Sequence, residues 1–479
     1  MRVPGRTLGL YAGPGMATRV ASIAGLGVRG RAVPRAGLAA VVAACLALGL
    51  LSLAAPTTPT YDPWAWLIWG REILHLSLDT RFGPSWKPLP VLITTVFGLA
   101  GGAAPALWVA VARAGGLAAL ALAYRVARRL GGGVTGGLLA AVCLAVSTDF
   151  LRFAAVGDSE GLLAALLLAG VDLHLTGRRR AALWACFGAA LLRPESWPFV
   201  GAYALWVAWR EPSARRLVAG MTFAGAVLWF GAELWGSGNA LRAGQRAHDP
   251  NPNALAFADH PALEVIKRFD SMMPLVAEIG AALALVAAAV RKRLDATGAL
   301  ALAAAAWIGV VAAMTESGFS GNARYLVAPV TLACVAGGAA LGALALRTPR
   351  PALAAALALA TLIPAVAVRV DDLGSDGRSV RDEARLMDSL TTAVRAAGGA
   401  HAVTRCGSVT TGPFQVTALA WKLHSPIRGV GLHARAPGTV FRPALVPAGP
   451  VGPDEQGFRT VAQSGPWQIL STCVAPRPH

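Results

Sequence analysis

Apolar runs of roughly twenty residues, separated by short arginine clusters, recur along most of this 479-residue chain and leave it few possible folds. An α-helix needs runs of that length to cross the hydrocarbon core of a bilayer. Inside that core every backbone N–H and C=O must be bonded within the segment, a condition that helices meet and open strands do not. With 55% hydrophobic and only 14% charged residues, the sequence reads as an all-α polytopic membrane protein. The net charge of +18 does not indicate a nucleic-acid partner, because the basic residues fall in small groups between apolar runs and not on one tail or stripe.

Residues 1–35 are rich in arginine, lack acids and are expected to form a cytoplasmic basic tail. About eleven spans are predicted, at 36–55, 104–128, 133–149, 157–176, 181–195, 197–210, 215–235, 271–290, 297–314, 324–346 and 351–369. Ala54-Ala55 resembles a signal-peptide cleavage site, but the long basic flank and span-length apolar run favour an uncleaved anchor. The stretch 88–101 is short and glycine-ended, so a re-entrant or interfacial helix is expected there. With this layout Arg125/Arg128/Arg129, Arg178-Arg179-Arg180, Arg210/Arg215/Arg216, Arg291-Lys292-Arg293 and Arg347/Arg350 all fall on the side of the N-terminus. Most acids, from Asp62 and Asp79 to Asp270 and Glu316, fall on the other side. The positive-inside rule therefore puts the N-terminus in the cytoplasm of an inner (cytoplasmic) membrane protein. The domains read as a transmembrane unit, 36–369, with a first outer loop at 56–103, followed by a small extracytoplasmic α+β domain, 370–479.

That first loop carries Asp62 just after the first span, then Trp64, Trp66 and Trp69, and later Trp86-Lys87-Pro88. Tryptophan favours the bilayer–water interface, so the loop is expected to lie along the membrane surface and hold Asp62 over a cavity. The segments 181–195 and 197–210 are short for independent spans and meet at Arg193-Pro194-Glu195-Ser196-Trp197-Pro198. Backbone broken at membrane depth is tolerated against protein or a wet cavity, which places that turn beside a polar cavity. In the C-terminal domain 408–418 and 467–474 are β-prone. A Cys406–Cys473 disulfide there would close a loop of about seventy residues, worth roughly 4 kcal/mol in the chain-entropy account. Cys45, Cys143, Cys186 and Cys334 lie in apolar runs and read as inert core residues.

Ionisable groups at membrane depth are costly and need a partner or a function. The expected outer face carries four clusters: Asp62 with Lys87; Asp149, Arg152, Asp158 and Glu160; Arg193 with Glu195; and Glu316, Asn322, Arg324 and Tyr325. Carboxylates can serve as a general base or hold a divalent cation, and Arg and Lys can grip a phosphate. Each cluster also has a structural reading. Asp62 can cap its helix, Asp158 and Glu160 can complement a positive helix end, and Arg193 and Glu195 can be a plain ion pair. Arg324 at a helix start is unfavourable to the dipole, which weighs toward function. Arg113 is expected to face the same cavity. His75, His174 and His248 show no metal-ligand spacing, and no phosphate-binding glycine loop is present, which argues against an ATP-driven pump.

The basic tail, single span, acidic outer loop and next span ending Tyr124-Arg125-Val126-Ala127-Arg128-Arg129-Leu130 resemble the GT-C superfamily of integral-membrane glycosyltransferases. That superfamily includes protein O-mannosyltransferases and lipid A aminoarabinose transferases. The motifs carrying the resemblance are Asp62, Gly157-Asp158-Ser159-Glu160, Arg193-Pro194-Glu195 and Gly321-Asn322-Ala323-Arg324-Tyr325-Leu326. It implies a cell-envelope enzyme that moves a sugar from a polyprenyl-phosphate donor to a lipid, glycan or protein acceptor on the outer face. Asp62 would be the base, with Asp158 and Glu160 orienting a substrate or, with Asp62, holding a divalent cation. Arg324 and Lys87 would neutralise the lipid phosphate, and Arg193, Glu195 and Tyr325 would complete the substrate site. Tyr61 and Pro63 flank Asp62, so the paired acid that some relatives carry in this loop is missing. The competing readings are a lipid or glycan transporter or flippase, and a non-enzymatic envelope-assembly protein. A flippase of the inverted-repeat kind would show two related halves, which the sequence does not.

Overall fold

The computed structural model describes residues 35–443 and 457–473; the expected basic tail falls almost wholly outside them. The chain is mostly helical, with one small sheet near its C-terminus. Six described helices are long and apolar enough to cross a membrane: Gly37–Ala54, Gly101–Val146, Pro212–Ser237, Ala296–Glu316, Ala323–Ala345 and Pro351–Ala396. A seventh is formed if Pro261–Met272 and Leu275–Val290, bent by 112°, make one broken span. The expected count of eleven is not established by these lengths. Glu160–Leu175, Arg179–Ala190 and Trp197–Arg210 are shorter helices of 16, 12 and 14 residues. The expected spans 104–128 and 133–149 lie in one run that kinks at Gly131, whose φ is +97°.

Small residues set the bundle's spacing. Gly132 and Gly136 face Gly338 and Gly342 across the Gly133–Val146 and Val327–Ala345 helices. A methyl on Gly136 would meet Gly338 O at 2.7 Å, and one on Gly342 would collide with the backbone of Gly132 and Gly136. Two glycines four residues apart on each helix let the backbones touch, which is how helices associate where lipid supplies no hydrophobic drive. A second seam joins Ala104–Ala127 to Glu160–Leu175, where a methyl on Gly161 would lie 2.8 Å from Gly116 Cα. The second seam lies next to Glu160, at the start of its helix.

The first loop differs from expectation. Tyr61–Leu74 is a helix whose Trp64, Trp66 and Trp69 are buried, at 4%, 0% and 0% exposure, and do not lie along a lipid surface. Trp66 packs edge-on to Trp108 of the bundle at 5.3 Å, Trp69 against Trp86 at 5.5 Å, and Trp64 against Trp421 of the C-terminal region at 6.1 Å. The helix is wedged between two bodies, so its middle, Pro63 to Gly70, is apolar and buried all round. The same rings that suit an interface supply the largest packing area in this wedge.

Ile363–Ala396 is one continuous 34-residue helix that runs from apolar into polar sequence across position 370. It packs on a sheet of order β1-β2-β4-β3, formed by Ser408–Thr411 (β1), Gly438–Pro443 (β2), Arg459–Ser464 (β3) and Trp467–Ser471 (β4). β1 and β2 run parallel and the other pairs antiparallel, with a register shift between Thr460 and Ala462. Of the two β-prone stretches, 467–474 holds β4, whereas 408–418 is strand only to Thr411 and joins the Val416–Lys422 helix. Cys406 and Cys473 are joined by a disulfide that ties the Ala400–Cys406 helix to the end of β4. Thr417 Oγ1 donates to Tyr61 O at 3.0 Å, and Arg71 Nη2 to Ser425 O at 3.0 Å, so this region caps the Asp62 helix.

Candidate active site

The cap, the first loop and the adjoining ends of the bundle helices line a cavity of about 2500 Å³. Asp62, Lys87, Asp158, Arg193, Glu195, Arg324 and Tyr325 all line it. These residues come from five separate segments, four of which are positioned by the following local devices. Asp62 lies in the first turn of its helix, after Thr60 at the N-cap. Lys87 precedes the Pro88–Gly98 helix, the short apolar segment expected to be re-entrant or interfacial, and Leu89 N–H donates to Leu191 O at 3.2 Å. Gly157 turns the chain at φ +83° and its carbonyl accepts Trp108 Nε1–H at 2.7 Å, which sets Asp158 just ahead of its helix. Gly321, at φ +62°, leads into Asn322, whose side chain accepts Arg324 N–H at 3.0 Å and caps the turn carrying the guanidinium.

Arg324 stands at the centre. Its Nη2 donates to Asp62 Oδ2 at 2.9 Å and its Nη1 to Asp158 Oδ1 at 3.4 Å, and its Nε is 4.0 Å from Glu160 Oε1. Lys87 Nζ lies 3.7 Å from the same Asp62 Oδ2 and 5.1 Å from the Trp66 ring centre. Arg193 is bonded to Glu160, lies 3.6 Å from Glu195 and stacks over Tyr325 with 5.2 Å to the ring centre. Glu160 is fully buried and does not line the cavity; it anchors Arg193 from behind. Buried with no hydrogen-bond partner among the described residues are Lys87 Nζ, Glu160 Oε2 and Glu195 Oε2. Burial acts to raise the Asp62 carboxyl, but Arg324 and then Lys87 outweigh it and hold it at about 2. Burial, aided by Arg193 and opposed by Asp62, pushes the Lys87 ammonium down to about 8.

Not every sequence-marked residue joins this group. Arg113, expected at the cavity, instead donates to Ser52 O at 2.7 Å and Ala155 O at 3.1 Å, tying together backbone ends the bundle leaves open. Asp149 and Arg152 line the cavity but pair elsewhere than with Arg324, Asp149 with Arg268 of the same cavity at 3.6 Å and Arg152 with Asp376 at 4.0 Å. Glu316 accepts Ala262 N–H at 3.0 Å, away from the centre. Thr60 was not marked by any sequence signal, yet its hydroxyl donates to Asp158 Oδ1 at 2.8 Å across 98 positions. Asp62, Asp158 and Glu160 do not form a cation site as placed. Arg324 fills the space among them, and among the described residues no three His, Cys, Asp or Glu side chains are arranged to hold a metal ion.

The chain superimposes over almost its full length on solved structures of ArnT from Cupriavidus metallidurans. The form bound to undecaprenyl phosphate gives a TM-score of 0.55 at 13% identity, covering 93% of this chain and 100% of that one. The apo form gives 0.56 at 13%, covering 91% and 98%. The chain shares the fold of these structures. No protein-family model and no curated protein matches it. The fold is thus shared at an identity too low for sequence comparison to register, and the superposition reaches through both the bundle and the C-terminal cap.

Proposed function

We propose that the protein is a membrane glycosyltransferase that moves a sugar from a polyprenyl-phosphate donor to an acceptor at the outer face of the cytoplasmic membrane. One observation carries the reading: Asp62, Asp158, Lys87 and Arg324 converge on one cavity, with a single Asp62 oxygen facing both cations. The likeness to ArnT bound to undecaprenyl phosphate supports the same donor class. The eleven-span layout, with the N-terminus in the cytoplasm and residues 370–479 outside, puts the cavity on the outer side, where the acids collect.

The reaction divides among these groups. Asp62 takes the proton from the acceptor's nucleophilic atom as that atom attacks the anomeric carbon of the donor sugar. The bond from that carbon to the phosphate oxygen breaks, and its electron pair leaves with the polyprenyl phosphate. Arg324 and Lys87 stabilise the charge that grows on the phosphate, and do so most strongly in a site that excludes bulk water. Asp158, steadied by the Thr60 hydroxyl, orients Arg324. Glu195, with one oxygen unpartnered, accepts a hydrogen bond from the substrate, while Arg193 and Tyr325 hold that wall in place. No step is routed through a metal ion. The identity of sugar and acceptor lies in the rest of the cavity wall.

The test compares envelope glycans and lipid-linked sugars in a deletion strain complemented with wild type or Asp62→Asn. A sugar missing from the glycans, with its lipid-linked donor accumulating, is expected in the deletion and in the Asp62→Asn strain alike. Unchanged glycans with Asp62→Asn present at normal levels would remove the base from the proposal.

A further inference from the structure

Every cation at the floor of the cavity is already engaged. Lys87 lies 3.7 Å from Asp62, Arg324 contacts Asp62, Asp158 and Glu160, and Arg193 sits between Glu160 and Glu195. Three cations face four carboxylates, so an entering phosphate finds no free positive group and must take one from an acid.

Exposure decides which pair opens. The Arg324 side chain is 22% exposed, against 7% for Lys87 and 4% for Arg193, so of these three cations the guanidinium is the most open to an anion at the floor. Among its acid partners Asp62 is the most exposed, at 13%, against 7% for Asp158 and 0% for Glu160. Asp62 Oδ2 also lies against both Arg324 Nη2 and Lys87 Nζ, the position that an oxygen of a bound phosphate would occupy. Lys87 Nζ makes no hydrogen bond among the described residues, so charge alone draws it toward that oxygen. An ammonium in that state is free to turn to a better acceptor.

We propose that Asp62 and the lipid phosphate compete for one seat between Lys87 and Arg324, so that the donor must bind before the base is released to the acceptor. The inference rests on the assignment of phosphate and base in the proposed function. In the resting protein the two cations hold Asp62 as a carboxylate too weakly basic to take a proton. A phosphate oxygen entering the seat turns both cations toward itself. Asp62 then loses its charge partners, gains a negative neighbour and recovers its basicity. Acceptor activation follows donor binding as a consequence of charge, with no lid required. Binding of the phosphate is weakened by the same interaction that masks the base, since coupling between two occupants of one seat is reciprocal.

The experiment measures binding of undecaprenyl phosphate, and separately of inorganic phosphate, to the full-length protein in detergent. It compares wild type, Asp62→Asn, Arg324→Gln and the double variant, with Asp62→Ser in reserve if the amide form does not fold. Asparagine keeps the shape of Asp62 without its charge. The expected result is that Asp62→Asn, though inactive in transfer, binds both phosphates about tenfold more tightly than wild type. Arg324→Gln weakens binding and erases that gain in the double variant. Equal or weaker binding by Asp62→Asn, with wild-type binding intact, overturns the competition and leaves the proposed function standing. A gain with the lipid but not with inorganic phosphate would move the effect to the tail and also overturns it. Failure of both wild type and Asp62→Asn to bind either phosphate overturns the phosphate site itself.

Discussion

Arg324 Nη2 lies 2.9 Å from Asp62 Oδ2 although the two residues are 262 positions apart in the chain. The contact joins the N-terminal turn of the first-loop helix to the turn ahead of a buried span, and through Asp158 it reaches a third segment. One guanidinium therefore organises the floor of the cavity.

Arg324→Gln should lower the initial rate of sugar transfer in reconstituted vesicles by roughly 10²–10³-fold, the usual cost of one preorganised charge-stabilising donor. Arg324→Lys should recover only a small part. A compact ammonium lacks the planar fork that reaches Asp62 and Asp158 together. A rate for Arg324→Lys near wild type would show that charge alone suffices.

Arg193→Met should be strongly destabilising, by roughly 3–5 kcal/mol, because it leaves Glu160 and Glu195 buried without their cation. Adding Glu160→Gln to that variant should restore part of the loss, as the stranded charge disappears. Thermal unfolding of the purified proteins in detergent reads both effects. Equal stability of single and double variants would count against the pair as a buried charge balance.

Glu72 lies at the junction of the first loop and the cap, 7% exposed, where its carboxylate accepts Asp79 N–H at 2.9 Å. Burial, against that hydrogen bond, pushes its carboxyl from 4.5 up to about 7. A carboxyl whose value is raised on folding binds more protons in the folded state. Stability is therefore complete below about 4.5 and is lost as pH rises toward 7. Glu72→Gln should flatten that loss and unfold a few degrees above wild type at pH 8, with little difference at pH 4. Parallel pH profiles for the two proteins would contradict the assignment.

Gly342→Val should prevent the bundle from closing, since its side chain would occupy the backbone of Gly132 and Gly136. Overpacking with no flexible neighbour to yield costs roughly 1–3 kcal/mol or more. The expected outcome is loss of monodisperse protein on extraction. Gly309→Val, where a methyl meets nothing within 4 Å, should behave as wild type in the same assay.

Much of the site could be read in the sequence because charge at membrane depth is expensive, so Asp62, Lys87, Asp158, Arg193, Glu195 and Arg324 stood out wherever they fell. Their convergence could not be read, since it depends on glycine seams between helices far apart in the chain. Thr60 gave no signal at all, being one more polar residue in a threonine-rich loop. Arg113 was misplaced because a cation inside an apolar run looks alike whether it faces a cavity or satisfies helix-end carbonyls. The tryptophans misled for a related reason: ring chemistry is the same at a lipid interface and in a packed wedge, and only the partners, Trp108 and Trp421, decide. Span number was the least legible property, because the helices within the expected spans 157–176, 181–195 and 197–210 are too short to settle the matter by length.

The wedge around Trp66 has a consequence for traffic. With Trp108 packed against it from the bundle and Trp421 holding its neighbour Trp64 from the cap, the helix that carries Asp62 is braced on two flanks. In the proposed transferase, entry and exit of substrate fall to the rest of the cavity lining, which includes the irregular 249–254 stretch.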